Sequence, residues 1–194
     1  MATENIEIEV KYHLENTDEL LAILHRTAEF KYESHQIDEY FNPPHRDFLE
    51  QLCVDGHIDE WFRLRWESDK KTINYKHWHQ DNGESVYCDE YETGVDDIET
   101  VRNILLAVGF RPMITVDKTR TAFKMGDFEI AVDRLCENGD FIEIEYYGNV
   151  GNRENTDILA EIKSFAGQIG AKLGERNRRG YPFVALDKLG LLKY

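Results

Sequence analysis

Carboxylates and cations recur at spacing two along this chain, a pattern suited to holding a divalent metal ion beside a small polyanion. Near the start, Ile6-Glu7-Ile8-Glu9-Val10-Lys11 alternates aliphatic with charged residues. Successive side chains of a β-strand point to opposite faces, so this stretch has one aliphatic face and one carrying Glu7, Glu9 and Lys11. Further along, Arg63-Leu64-Arg65 puts two guanidiniums on one face, Asn74-Tyr75-Lys76 adds an amine, and Glu90-Tyr91-Glu92 adds two carboxylates. Lys118-Thr119-Arg120 supplies two more cations, and Asp133 and Glu143-Ile144-Glu145 complete the set. One such strand implies only a sheet with a wet face. Arginine pairs and glutamate pairs segregated on separate strands imply a charged interior.

Composition is consistent with that reading. The 194 residues are enough for one domain with a sizeable core, and we expect a single domain over residues 1–194. Apolar residues make up 41% and charged residues 31%, which is low and high respectively for a compact globule. The net charge of −15 arises from 38 acids and 23 bases and argues against nucleic-acid binding, which rests on clustered cations that neutralise phosphates. Without the seven acids and six bases of the patterned set, 31 acids and 17 bases remain. The exterior thus carries the charge, and the proposed interior is nearly balanced before any ligand enters. No apolar run is long enough to span a bilayer and no signal-peptide pattern opens the chain, so we expect a cytoplasmic protein without membrane partners. Cys53, Cys88 and Cys136 are odd in number and far apart, which disfavours a disulfide framework or a Cys-x-x-Cys zinc site.

The elements that must position these residues can be read in order. A first strand runs to about residue 14. Asn16 then caps a helix, with Glu19 three residues on and a stripe of Leu20, Leu21, Ile23, Leu24 and Ala28. Residues 35–41 form a strand stopped by Asn42-Pro43-Pro44. Residues 45–60 read as a loop ending in the acidic turn of residues 55–60. Strands over 61–67, 72–79 and 84–92, joined by turns at 68–71 and 80–83, make an antiparallel meander. A second helix covers 96–108, with Asp96 and Glu99 in cap positions and Gly109 as its stop. Three more strands, 112–124, 128–135 and 141–147, lead to a helix over 156–169, and the tail from residue 176 ends in a short docking helix. The count is eight strands and three or four helices, an α+β chain. Inward charges on so many strands require the sheet to close round a water-filled bore, since lone charges in an apolar interior cost too much. The expected fold is therefore a closed eight-stranded antiparallel β-barrel, a tunnel with a charged interior.

At this point the motifs resemble a known family. Glu7-x-Glu9-x-Lys11, Asp38-x-Tyr40-Phe41, Arg63-x-Arg65, Lys76, Glu90-x-Glu92, Lys118-x-Arg120, Asp133 and Glu143-x-Glu145 follow the order of the CYTH superfamily, the triphosphate tunnel metalloenzymes. The resemblance implies that Glu7, Glu9, Asp133, Glu143 and Glu145 bind Mg²⁺ or Mn²⁺. It implies that Arg63, Arg65, Lys76, Lys118 and Arg120 clamp a triphosphate, with Glu90 and Glu92 supporting both sets. Lys11 and Tyr40 match a pair that in some triphosphatase members helps activate water. The run from Tyr40 through Pro44, Arg46 and Asp47 to Phe48 is similar to one in class IV adenylyl cyclase-like members, although the acidic stretch before Trp61 is longer than the usual pattern.

Three functions compete on this reading: a cyclase converting ATP to cyclic AMP and pyrophosphate, a hydrolase of inorganic, thiamine or nucleoside triphosphate, and a non-catalytic polyphosphate-binding module. All take a small triphosphate, such as ATP or tripolyphosphate, and act as a monomer or homodimer. Other features stay open. His77 and His79 flank Trp78 on the face opposite Lys76, as surface histidines or as metal ligands. Trp78 shares the face of Lys76 and either stacks on a nucleobase or packs. Arg176, Arg178 and Arg179, before Tyr181, either close one mouth of the tunnel or form a solvated turn.

Overall fold

The computed structural model describes residues 6–50, 58–81, 84–151 and 153–192, with residues 6, 7, 81 and 84–86 described through their backbone only. The strands are β1 (Ile6–Glu7), β2 (Glu9–Leu14), β3 (Glu29–Asn42), β4 (Glu60–Trp66), β5 (Lys71–Asp81), β6 (Glu84–Gly94), β7 (Arg111–Met125), β8 (Phe128–Leu135), β9 (Gly139–Tyr146) and β10 (Leu173–Arg176). The helices are α1 (Thr17–Thr27), α2 (Ile98–Ala107), α3 (Asn155–Gln168) and α4 (Gly180–Lys188). All strands belong to one antiparallel sheet in the order β1-β6-β5-β4-β3-β7-β8-β9-β2-β10. β1 and β2 are halves of one interrupted stretch, β1 bonded to β6 and β2 to β9. The sheet therefore curls until strands from both of its sides meet residues 6–14.

The core lies outside the curl. Ile8, Val10, Phe123, Ile130, Val132, Ile142 and Ile144 turn outward and bury under Leu20 and Leu24 of α1 and Ile158, Ile162 and Ala166 of α3. α2 covers the opposite side, packing Ile98 and Leu105 on Phe41 and Leu64. The stripe at helical spacing thus finds the aliphatic face at strand spacing, and burial of both drives the charged face inward. At one end of the curl the inward positions turn apolar: Tyr40, Trp61, Val116, Leu135 and Phe141 pack with Tyr181, Phe183, Ala185 and Leu186 of α4.

Several boundaries differ from those expected. β3 begins at Glu29 rather than near residue 35, because its polar first half pairs with β7 from Lys124 onward. β10 was not expected; it adds to the edge of β2, with Leu173 opposite Leu14. Asn16 precedes α1 but makes no side-chain cap to it. Its amide instead accepts from the Lys172 N–H at 2.8 Å and donates to the Gly170 carbonyl at 3.0 Å, tying the helix start to β10's approach. The α2 cap is Asp97, one residue past Asp96, and its carboxylate accepts from the Thr100 N–H at 3.0 Å. Gly109 does stop that helix, with φ +94°. The first half of the acidic turn (residues 55–57), Cys53 and the tip of the 80–83 turn lie outside the described residues. Cys88 is buried and Cys136 exposed.

Candidate functional site

Strand register brings the patterned residues together. Glu9 faces Glu145 and Lys11 faces Glu143 across β2 and β9, and Glu145 in turn faces Glu129 across β9 and β8. Asp133 faces Arg120, Asp38 faces Arg65, and Tyr40 faces Arg63. Trp61 faces Lys76 across β4 and β5, and Lys76 faces Glu90 across β5 and β6. Twelve of the fourteen residues singled out in the sequence line one cavity of about 230 Å³. Asp133 sits behind its wall. The Glu7 side chain lies outside the described residues, its backbone pairing with Cys88.

The acids gather on β2, β8 and β9. Burial pushes the Glu145 carboxyl up to about 8, the charge of Glu9 adds to the effect, and Lys76 opposes it. Burial raises Glu129 as well. Glu9 Oε2 is buried and accepts no hydrogen bond among the described residues, although Lys76 Nζ lies 3.9 Å away. A row of carboxylates with a bare buried oxygen fits a hard divalent cation, which takes oxygen ligands and would neutralise the charges now crowded there. Glu143 is differently placed. Its Oε2 accepts from Arg120 at 2.9 Å and lies 2.9 Å from Lys11 Nζ. Burial works to raise its carboxyl, but Arg120 and Lys11 outweigh it and hold the group well below the usual range.

Asp133 is fully buried and its oxygens are taken by protein donors. Arg120 donates to both, at 2.8 and 2.6 Å, while Lys118 at 3.2 Å and the Tyr181 hydroxyl at 2.7 Å converge on Oδ2. That geometry orients cations; it leaves little room for a metal ligand. Asp38 plays the matching part on β3, accepting from Arg65 at 2.6 and 2.8 Å with Arg63 at 3.5 Å. Arg63 keeps its Nε buried without an acceptor among the described residues, a donor that an incoming phosphate oxygen would satisfy. Lys118 is 2% exposed, and burial followed by the charge of Arg120 lowers its ammonium to about 7.

Lys11 and Tyr40 both line the cavity. Burial opposes the charge on Lys11, but Glu143 and Glu9 overcome it and keep the ammonium protonated. Burial raises the Tyr40 phenol, to which Arg63 donates at 3.4 Å. Neither is poised as a base near neutral pH. Glu90 lies 3.5 Å from Lys76, and Glu92 is drawn 2.8 Å from Lys70.

Residues 5–181 match the CYTH domain. The chain belongs to the CYTH family. A Methanocaldococcus jannaschii protein named "putative adenylate cyclase" is 30% identical over 142 residues, covering 72% of this chain and 76% of that one. A solved structure of a Pyrococcus horikoshii protein is 25% identical with a TM-score of 0.79, covering 94% of this chain and 99% of that one. A "putative adenylyl cyclase" from Hippeastrum, described as having a dominant triphosphatase activity, superposes with a TM-score of 0.60 at 15% identity over 97% of both chains and shares the fold.

Other members of this CYTH site escape a motif reading or were seen without their contacts. Glu129 shares the strand and parity of Asp133, so alternation within β8 could have found it. Asp38 was visible only as part of a motif, and its role needed the cross-strand partner. The tail contributes by tertiary docking: Arg176, Asn177, Arg178 and Tyr181 line the cavity. Lys11 and Lys118 place their ammoniums 4.7 and 4.8 Å from the Tyr181 ring centroid. Arg179 instead stacks over Phe183. The run ending in Phe48 folds as a braced loop, with Asn42 donating to Asp47 at 2.7 Å and accepting from the Phe48 N–H at 3.0 Å. Trp78 lines the cavity beside Lys76, 5.8 Å from ammonium to ring centroid. No described helix is long and apolar enough to cross a membrane.

Proposed function

We propose that the cavity binds a small triphosphate with Mg²⁺ or Mn²⁺ and cleaves it, acting as an adenylyl cyclase on ATP. The observation that carries this reading is the meeting of an acidic row with a cationic row in one cavity, where the bare oxygen of Glu9 and the bare Nε of Arg63 await partners. Glu9, Glu145 and Glu129, with Glu7 and Glu143, would hold the cation, which when bound neutralises charge developing on phosphate oxygens. Asp133 acts here as a positioning residue for Arg120 and Lys118 instead of a ligand.

Arg63, Arg65, Lys76, Lys118 and Arg120 bind and orient the phosphates, with Lys11 as a permanent cation on the acidic side. Asp38 and Asp133 fix the guanidinium planes, so the clamp is organised before substrate arrives. In the cyclase reaction the ribose 3′-hydroxyl oxygen bonds to the α-phosphorus as the bond to the bridging oxygen breaks; pyrophosphate departs with that electron pair, and the hydroxyl proton passes to solvent. Trp78 offers a ring for the base, and the named archaeal relative supports this branch.

The Hippeastrum protein favours a second reading, hydrolysis by water at the terminal phosphate. Incubation with ATP and with tripolyphosphate, each with Mg²⁺ or Mn²⁺, tests both. Cyclic AMP with pyrophosphate supports the cyclase, orthophosphate the hydrolase, and tight binding without turnover a binding module.

A further inference from the structure

A second group of ligand atoms lies on the outer face of the sheet. Residues of odd number on β5 and β6 point away from the cavity, so the register that opposes Lys76 to Glu90 also opposes His77 to Asp89 and His79 to Tyr87. One ligand atom from each of His77, His79 and Asp89 lies within 4.8 Å of the other two. His79 Nε2 is 2.8 Å from Asp89 Oδ2, and the two imidazole centroids are 4.9 Å apart. Tyr87 stacks on the His79 ring at 4.5 Å, fixing its plane. The His79 and Asp89 side chains are each 35% exposed, so a cation could reach them from solvent. A lone His79–Asp89 hydrogen bond would leave the approach of His77 unexplained.

We propose that His77, His79 and Asp89 bind a borderline divalent transition-metal ion of the Zn²⁺ class, separate from the cavity. Two imidazoles and one carboxylate select such ions over Mg²⁺, which prefers an all-oxygen set like that on the inner face. Three protein ligands leave a position for water. The chain's net charge of −15 favours cation uptake, and the ion would clasp β5 to β6, whose inward faces carry Lys76 and Glu90. This site stands independently of what the cavity does.

The test is calorimetric titration of Zn²⁺ into the whole protein with millimolar Mg²⁺ present to occupy the carboxylate row. One equivalent should bind, and its affinity should fall about 100-fold or more in His77→Ala/His79→Ala and about tenfold or more in Asp89→Asn. Bound Cu²⁺ should show nitrogen coupling from two imidazoles by electron paramagnetic resonance, and the double variant should lose it. Zn²⁺ should also raise the unfolding midpoint of wild type but not of the double variant. Circular dichroism of the variants confirms that each is folded. Unchanged Zn²⁺ affinity and stoichiometry in the double variant, or no Zn²⁺ uptake by wild type beside Mg²⁺, would overturn the proposal.

Discussion

Glu9 and Glu145 stand directly opposite each other across the β2–β9 ladder, on the wall of the cavity. Burial and the charge of Glu9 bring the Glu145 carboxyl up to about 8. At neutral pH it therefore keeps a proton that a divalent cation bound there would have to displace. Mn²⁺ affinity in the absence of triphosphate should rise about tenfold per pH unit between pH 6 and 8, then level off. Titrations in buffers of different ionisation enthalpy should register close to one proton released at pH 7. Glu145→Gln should abolish both the release and turnover while leaving the fold intact; retained turnover would remove Glu145 from the metal site. The stability sign is the reverse of a paired acid. Between about pH 4.5 and 8 the folded chain keeps a proton that the unfolded chain has lost, so the Glu145 contribution to stability declines as pH rises through that window.

Asp133 and Glu129 share β8 and inward parity, yet their surroundings differ. Asp133 is gripped by Arg120, Lys118 and Tyr181, so Asp133→Asn should leave buried cations short of their partner and destabilise the protein by about 3 kcal/mol or more. Glu129→Gln removes a carboxyl that burial already disfavours as an anion, and should cost no stability while weakening Mn²⁺ binding. Urea unfolding of the two variants beside metal titration separates the roles. Equal loss of stability, or metal affinity lost only with Asp133, would reverse the assignment.

Lys118 supplies a test of anion binding that needs no turnover. Burial, then the charge of Arg120, lowers its ammonium to about 7. A bound triphosphate would favour that charge, so tripolyphosphate should carry a proton uptake approaching one near pH 8, absent in Lys118→Met. Between about pH 7 and 10 the folded chain has given up a proton that the unfolded chain still holds, so this group's contribution to stability rises with pH across that window. Calorimetry in two buffers reads the uptake directly; none in wild type would place the anion elsewhere.

Alternation at period two carried most of this site because a curled sheet turns parity into geography. Once Ile8 and Val10 are known to face the helices, Glu9 and Lys11 must face the bore, and the same holds for Arg63, Lys118 and Glu143 on their strands. Three things were beyond such a reading. Parity places Asp133 inward but does not say that Arg120, Lys118 and Tyr181 saturate it, which depends on contacts from two other elements. The tail's Asn177 and Tyr181 reach the cavity through docking of α4, and local sequence says nothing of where a helix docks. β10 is four residues long, too short for a periodic signal, and it forms because Asn16 and Leu14 hold the chain against β2. The run from Tyr40 to Phe48 shows the opposite limit: it resembles a subgroup's motif, yet its part beyond β3 is a loop braced by Asn42.

Arg63 and Arg65 are neighbours on β4 with contrasting bonds, and alanine at each should separate binding from stability. Both Asp38 oxygens accept from Arg65, so Arg65→Ala would strand a fully buried carboxylate and should cost about 3 kcal/mol or more in unfolding free energy. Arg63 stands 3.5 Å from Asp38 and has Nε unengaged among the described residues. Its other contacts are long, 3.5 Å to Asp38 and 3.4 Å to the Tyr40 hydroxyl, so Nε would be available to a substrate oxygen. Loss of a charge-assisted contact of about 1.5–3 kcal/mol corresponds to about a tenfold or greater rise in the triphosphate concentration needed, with a smaller loss of stability than at Arg65. Tripolyphosphate titration and urea unfolding of both variants read the two effects on one preparation. Arg63→Ala with wild-type affinity would exclude it from the clamp, and Arg65→Ala with wild-type stability would show that Asp38 does not depend on it.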